Sequence, residues 1–313
     1  MEKPVTYRHA LVTGASGFVG RVLCTYLVQQ GVRVTAVSRT AHSLPWFSAT
    51  QYKSHSLDII KVALPTEWWD GVDVVFHLAG MAHVGDKSKI SDETYQSINV
   101  GATDTLLQQA VLHDVKRFIY FSSVRAIDPV DRYGYNKRLA EETVLSYGEQ
   151  KAIQVSILRP VLVYGPGVKG NLRVLQNAIQ KGWLPPIPET GNRRSLISVQ
   201  DLAHAAWITA ISPYTHGKTY IVTDGVAYST RQIYEVFSRL SGRQPGRLAV
   251  PKWIFWLVTK LLCKPHIFEK LFGSDFYPDV ALSIDTGWEP QYSLWDVDHW
   301  NTVFSVHSAQ HGE

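Results

Sequence analysis

Ser123 precedes Tyr133 by ten residues, and Tyr133 is followed four residues later by Lys137. Residues four apart on a helix share a face, so a phenol and an ammonium at this spacing can point into one cleft. The ammonium stabilises the phenolate and brings its pKa down from about 10 toward the working range of an acid/base catalyst. Tyrosine and lysine also fall at this spacing on ordinary amphipathic helices, so the catalytic reading depends on their surroundings. Upstream, Gly14, Gly17 and Gly20 form a G-x-x-G-x-x-G turn between the apolar run 9–13 and a helical pattern over 18–30. Glycines there let the backbone turn sharply and approach a pyrophosphate, whose charge is met by the N–H groups and positive end of the helix that follows. Together these features point to hydride transfer with a bound dinucleotide.

The choice of dinucleotide is read at the tip of the second strand, where an acid would bind the ribose hydroxyls of NAD. Here the tip is Ser38-Arg39. A hydroxyl followed by a permanently charged guanidinium favours the 2′-phosphate of NADP(H) over NAD(H). An arginine stacked on adenine would tolerate either. Asp58 stands where an acid can meet the adenine, or serve a surface turn.

The elements that must position these residues alternate. Apolar runs at 9–13, 32–38, 72–80, 117–123 and 154–160 read as buried parallel strands, with helices near 18–30, 92–113 and 134–150. The expected fold class is α/β, a Rossmann-type doubly wound parallel sheet with a smaller C-terminal substrate-binding lobe. After Gly165-Pro166-Gly167 the chain turns rich in Gly, Pro and Trp. Residues 1–166 and 196–225 are expected to form the dinucleotide-binding domain, and 167–195 with 226–313 the lobe, with the ligand cleft between them. Ser198-x-x-Asp201 reads as a helix cap, and 218–225 as a further strand.

With 45% hydrophobic residues in 313, the chain has enough apolar material for a sizeable core. Lys and Arg are dispersed among acids at a formal net charge of +4, which gives no basic stripe for nucleic acid. Cys24 and Cys263 lie far apart without histidines at metal-ligand spacing, which argues against a disulfide framework or a structural zinc and suits the cytoplasm. The N-terminal residues show no apolar export segment. The stretch 251–272 is apolar on most faces and bracketed by lysines, but its longest uncharged run is far short of the roughly 20 residues of a membrane span. It is either an interfacial amphipathic helix or a helix buried against the lobe or another subunit, and its even hydrophobicity favours burial.

TGASGFVG (13–20), HLAG (77–80), the INVGAT segment around Asn99, FSSV (121–124), YGYNK (133–137), LRPVLVYGPGVKGN (158–171) and RRSLISVQDLA (193–203) resemble, over nearly the whole chain, the extended short-chain dehydrogenase/reductases of the NAD-dependent epimerase/dehydratase family. Within them the chain is similar to the nucleotide-sugar 4-epimerases and 4-ketoreductases of surface-polysaccharide pathways. The resemblance implies that Ser123 bonds the substrate oxygen, that Tyr133 is the acid/base, and that Lys137 holds the nicotinamide ribose. It also implies cofactor contacts at Ser16, Phe18, Val19, Leu78, Ala79, Gly80 and Pro160, substrate-phosphate contacts at Asn171 and Arg194, a UDP-linked sugar as partner, and a homodimer through 92–113 and 134–150. Two departures stand out. Only VRAIDPVDR separates Ser123 from Tyr133, where the family has a longer loop, and Val124-Arg125 replaces the Asp-Glu pair of the dehydratases, which argues against dehydration. A non-catalytic dinucleotide-binding protein on the same fold is the alternative, and retention of all three catalytic residues argues against it.

Overall fold

Apolar runs alternating with amphipathic ones give ten strands and ten α-helices among the residues that the computed structural model describes, 5–80, 92–246, 249–263 and 265–296. The strands are β1 (His9–Thr13), β2 (Arg33–Ser38), β3 (Tyr52–Ser56), β4 (Val74–His77), β5 (Arg117–Phe121), β6 (Gln154–Pro160), β7 (Leu162–Tyr164), β8 (Arg194–Ser198), β9 (Lys218–Val222) and β10 (Ala227–Tyr228). The helices are α1 (Phe18–Gln29), α2 (Asp92–Gln96), α3 (Ala102–Leu112), α4 (Arg132–Glu149), α5 (Gly170–Gln180), α6 (Val199–Ile211), α7 (Thr230–Leu240), α8 (Lys252–Leu261), α9 (Pro265–Phe272) and α10 (Ala281–Thr286). The chain packs as two compact units, one of Met1–Pro160, Leu202–Val222 and Val280–Trp288, the other of Val161–Asp201, Thr223–Asp279 and Glu289–Glu313.

In the first unit seven strands form a wholly parallel sheet, ordered β3-β2-β1-β4-β5-β6-β9. The order reverses beside β1, the place where doubly wound sheets bind ligands at their carboxyl ends. Every residue of β1, β4 and β5 is buried, as expected of strands covered on both faces. One core cluster joins Leu11, Val75, Phe118 and Ile157 of the sheet to Leu107 of α3 and Val144 of α4. The edge strand β3 buries only Tyr52. Residues 92–113, expected as one helix, are broken by a π-helical turn at Ser97–Gly101. Asn99 lies in that turn; its side-chain amide donates to the Tyr95 carbonyl at 2.9 Å.

The second unit has a three-stranded sheet, β10-β8-β7, antiparallel between β10 and β8 and parallel between β8 and β7. Ser198 caps α6 as its sequence implied, accepting from the Asp201 amide at 2.9 Å. Several assignments differ from the sequence expectation, and residues 161–166, 196–201 and 223–225 fall in the second unit rather than the first. Val280–Trp288 joins the first unit, because Asp285 accepts from Lys218 at 2.8 Å and from the Tyr220 hydroxyl at 2.5 Å. The helix at the start of 251–272 is not buried on most faces: α8 turns only Phe255 and Thr259 inward and leaves the face with Trp253, Trp256 and Leu261 exposed. Its apolar content is spread around the helix, but its own unit covers one side only.

Arg117 is fully buried and, among the described residues, pairs with no carboxylate. It donates to Ser156 Oγ at 2.8 Å, the Thr209 carbonyl at 3.0 Å and the Thr215 hydroxyl, which pins the end of α6 to β5 and β6. Burial pushes its pKa down to about 10. Arg117→Ala leaves a cavity and removes three buried hydrogen bonds, so unfolding in urea should show a loss of about 2–4 kcal/mol. A change below about 0.5 kcal/mol would show that the arginine does not anchor this edge.

Candidate active site

The glycine turn lies at the end of β1. Gly14 has φ +70°, and a Cβ there would lie 2.8 Å from the Ala79 amide nitrogen. A Cβ on Gly20 would meet the Gly14 carbonyl at 2.4 Å, so the start of α1 rests directly on the turn. Gly17, the N-cap of α1, provides no side-chain cap, and the first turn, with Phe18 and Val19, holds no acid. Amides at this end therefore remain available to an anion, and the cradle fits a dinucleotide pyrophosphate. The Ser16 carbonyl is taken by Arg21 Nε at 3.1 Å.

A buried relay that the sequence did not reveal ties this turn to the neighbouring strand ends. The Ala79 amide donates to Thr13 Oγ1 at 3.2 Å, and Thr13 Oγ1 lies 2.7 Å from His77 Nδ1. His77 Nε2 lies 3.0 Å from Thr103 Oγ1, which donates to the Asn99 carbonyl at 2.7 Å. Thr103 spends its proton on Asn99, so it accepts from Nε2–H, and Nδ1 accepts from Thr13. His77 must then stay neutral, as it does: burial, helped by Lys137, lowers its pKa to about 3. The relay fixes Leu78, Ala79 and Gly80, and the Leu78 amide donates to the Thr13 carbonyl at 3.2 Å.

Ser123 follows β5 and caps a single 3-10 turn, Val124–Ala126, accepting from the Arg125 amide at 3.3 Å. The short loop is clamped to α4. Asp131 caps α4 through the Gly134 amide at 2.9 Å and pairs with Arg125, and Arg138 donates to the Ala126 carbonyl at 3.2 Å. A Cβ on Gly134 would sit 2.3 Å from the Arg125 carbonyl oxygen, so only glycine lets the loop lie this close. Beside it is a cavity of about 410 Å³, lined by Gln96, Pro129, Val130, Asp131, Arg132, Tyr135 and Asn136.

Lys137, one turn after Tyr133 on α4, is buried, donates to the Phe121 carbonyl at 2.6 Å and lies 4.6 Å from the Tyr120 ring centroid. A Cβ on Gly80 would be 3.6 Å from its Nζ and 3.4 Å from Asn99 Oδ1, so Gly80, Asn99 and Lys137 converge. Burial pushes the Lys137 pKa down to about 8, and Glu141, one turn further on, opposes this. Glu141 is itself held by Arg159 of β6, from Nε at 2.8 Å and Nη2 at 2.5 Å. Tyr133 departs from the simple expectation of a lowered phenol. Burial first, then Tyr95, raises its pKa to about 12, and the cation that opposes them is Arg125, 5.6 Å from the ring centroid. The reason is geometric: in the protein alone Lys137 is engaged with Phe121.

At the β2 tip Ser38 is buried and donates to the Thr40 carbonyl at 2.8 Å, whereas Arg39 is exposed. Asp58 is half-buried and accepts from the Ile60 amide at 3.4 Å. Pro160 ends β6, paired with Val222. In the second unit Asn171 is exposed in the first turn of α5. Arg194 is buried and occupied inside the unit: it donates to Asp275 at 3.0 Å, the Lys270 carbonyl at 2.8 Å and Thr230 Oγ1 at 3.3 Å.

The model of the NAD dependent epimerase/dehydratase family matches residues 10–222, more than half of the chain. The chain belongs to this family. A UDP-glucose 4-epimerase of Vibrio cholerae is 29% identical, with 91% of each chain covered. Two solved structures share the fold. A UDP-glucose 4-epimerase from Thermotoga maritima, solved with UDP-glucose, is 18% identical with a TM-score of 0.73 and covers 96% of this chain and 99% of its own. The Bordetella bronchiseptica enzyme WbmF, solved with NAD+ and UDP, is 20% identical with a TM-score of 0.72 and covers 97% and 95%.

Lys137 is held charged against burial by Glu141. Its ¹³Cε resonance, assigned by loss in Lys137→Met, should titrate with a midpoint near pH 8, ammonium below and amine above. Glu141→Gln should lower the midpoint further, because the opposing charge is gone. A midpoint in the ordinary lysine range, or one that rises in the variant, contradicts this account of the site.

Proposed function

We propose that the protein is an NAD(P)-dependent oxidoreductase acting at C4 of a UDP-linked hexose, reducing a 4-keto group or epimerising the carbinol, in the supply of sugars for surface polysaccharides. The observation that carries this is the convergence of Lys137 with Gly80, Asn99 and the Phe121 carbonyl, one helical turn from Tyr133, in a chain of this family. The UDP-glucose 4-epimerase relative and the neighbours solved with UDP-glucose, or with NAD+ and UDP, support the substrate class.

The nicotinamide, when bound, supplies or accepts the hydride. Tyr133 gives its proton to the C4 oxygen as a carbonyl becomes a hydroxyl, and takes it back in the reverse direction. Ser123 donates a hydrogen bond to that same oxygen. Lys137 holds the ribose, and its ammonium favours the phenolate whenever Tyr133 must lose its proton. Gly14, Gly17, Gly20 and the first amides of α1 hold the pyrophosphate. Asn171 and Arg194 meet the diphosphate of the substrate, with Arg194 exchanging Asp275, whose side chain is 60% exposed. Cytoplasmic placement and a homodimer through α3 and α4 complete the proposal, and the two free cysteines suit a reducing compartment.

Reduction is favoured over epimerisation by the tip of β2. The exposed guanidinium of Arg39 suits an exchangeable NADPH, so Arg39→Ala should weaken NADPH binding about tenfold or more and leave NADH nearly unchanged, read by fluorescence titration. Equal affinity of the unaltered protein for both coenzymes would overturn the preference for NADP(H).

The chemistry is tested with two substrates. Given a UDP-4-keto-6-deoxy-hexosamine, a reductase oxidises one NADPH per product; given UDP-glucose or UDP-N-acetylglucosamine, an epimerase forms the C4 epimer with no net change in coenzyme absorbance. Tyr133→Phe should abolish whichever turnover is found and keep coenzyme binding, since it removes the ionisable oxygen and retains the ring. Absence of nucleotide-sugar binding by calorimetry, with no product in either assay, would reject the assignment in favour of a non-catalytic dinucleotide-binding protein.

A further inference from the structure

The second unit leaves one apolar helix face uncovered. In α8, Phe255 and Thr259 turn inward, and Phe255 meets Phe272 of α9 edge-on at 5.4 Å. On the opposite side Trp253, Trp256, Leu257 and Leu261 recur at helical spacing, and Trp253 and Leu261 are 63% and 73% exposed. Two tryptophans and two leucines on one helix face in water mark an interaction surface, where a scattered exposed leucine would mark nothing.

The charges that α8 itself carries are of one sign. α8 carries Lys252 and Lys260 and no acid, and α9 has Lys270 beside Glu269. The Lys260 ammonium lies 4.6 Å from the Trp256 ring centroid, so its stem runs along the apolar surface and its charge sits at the border. Lys252 lies over the rings of Phe268 and Phe272, at 5.4 and 5.5 Å. A second copy packed on this face about a two-fold axis would bring a second set of these lysines to the same interface, with no acid of α8 to answer them. An anionic headgroup layer complements them: tryptophan rings settle at headgroup depth, lysine stems reach outward to phosphates, and leucines enter the acyl boundary. Among the described residues no helix is long and apolar enough to cross a membrane, so such a contact lies in the plane of the surface.

We propose that α8, with the start of α9, docks the protein on the surface of an anionic lipid bilayer through Trp253, Trp256, Leu257 and Leu261, with Lys252 and Lys260 at the lipid phosphates.

The test is co-sedimentation of the full chain with vesicles of phosphatidylglycerol and phosphatidylcholine, against vesicles of phosphatidylcholine alone. The protein should pellet with the anionic vesicles, and pelleting should fall as salt rises. Trp253→Ser with Trp256→Ser should cut the bound fraction about tenfold or more while the thermal unfolding midpoint stays put, since both side chains are exposed. Brominated lipid should quench tryptophan fluorescence in the unaltered protein but not in that double variant. Lys252→Gln with Lys260→Gln should weaken binding and flatten its salt dependence. Protein that stays in the supernatant with anionic vesicles overturns the proposal, as does equal pelleting of the tryptophan variant. Light scattering that shows a dimer abolished by the tryptophan substitutions, without vesicle binding, would assign the face to a second copy instead.

Discussion

Placing the Lys137 ammonium where water does not reach is the constraint on which the first unit turns. A buried charge must be solvated by the protein itself or it loses its proton. Here the Phe121 carbonyl of β5 accepts from it, the Tyr120 ring lies beneath it, and Glu141 answers it from the next turn of α4. Glu141 is in turn buried and is held by both arms of Arg159 from β6. The lysine therefore stays charged near neutral pH only while β5, β6 and α4 keep their register. This explains why acid and base groups stand in the middle of an otherwise apolar layer.

A second buried network aligns the other wall. Thr13 at the end of β1, His77 at the end of β4 and Thr103 on α3 share one direction of proton donation, with the imidazole fixed as its Nε2–H form. It holds the glycine turn, the Leu78-Ala79-Gly80 segment and Asn99 in a common frame without carrying charge. The π-helical turn at Ser97–Gly101 belongs to this frame, since it carries the Asn99 carbonyl on which the relay ends. Turns of this kind inside helices recur at functional sites.

Much of this was legible in the sequence. Residues 9–13 and 154–160 read as strands and are β1 and β6, because a strand covered on both faces must be continuously apolar. β3 escaped notice because YKSHS is an edge strand with little to bury. The Tyr133–Lys137 pair was visible from spacing alone, but the direction of the Tyr133 pKa was not, since packing around the ring sets it. Glu141 carries no signal in the sequence, since Arg159, which holds it, lies 18 residues away on another element. The partners of Arg194 lie 36 to 81 residues away in the chain, and no local pattern announces them. α8 misled for the opposite reason: its apolar residues are spread around the helix, whereas the unit buries one side only.

The account stands or falls on Tyr133 being the group that exchanges a proton with substrate, with Lys137 able to tune it. Labelling tyrosine with ¹³Cζ and following Tyr133, assigned through Tyr133→Phe, reads its ionisation directly. In the protein alone the midpoint should lie near 12. With oxidised coenzyme bound it should fall by at least about two pH units, as the positive nicotinamide and a Lys137 drawn off the Phe121 carbonyl both favour the phenolate. In Lys137→Met most of that fall should vanish. A midpoint that coenzyme does not move, or that moves equally without the lysine, would contradict the proposed mechanism.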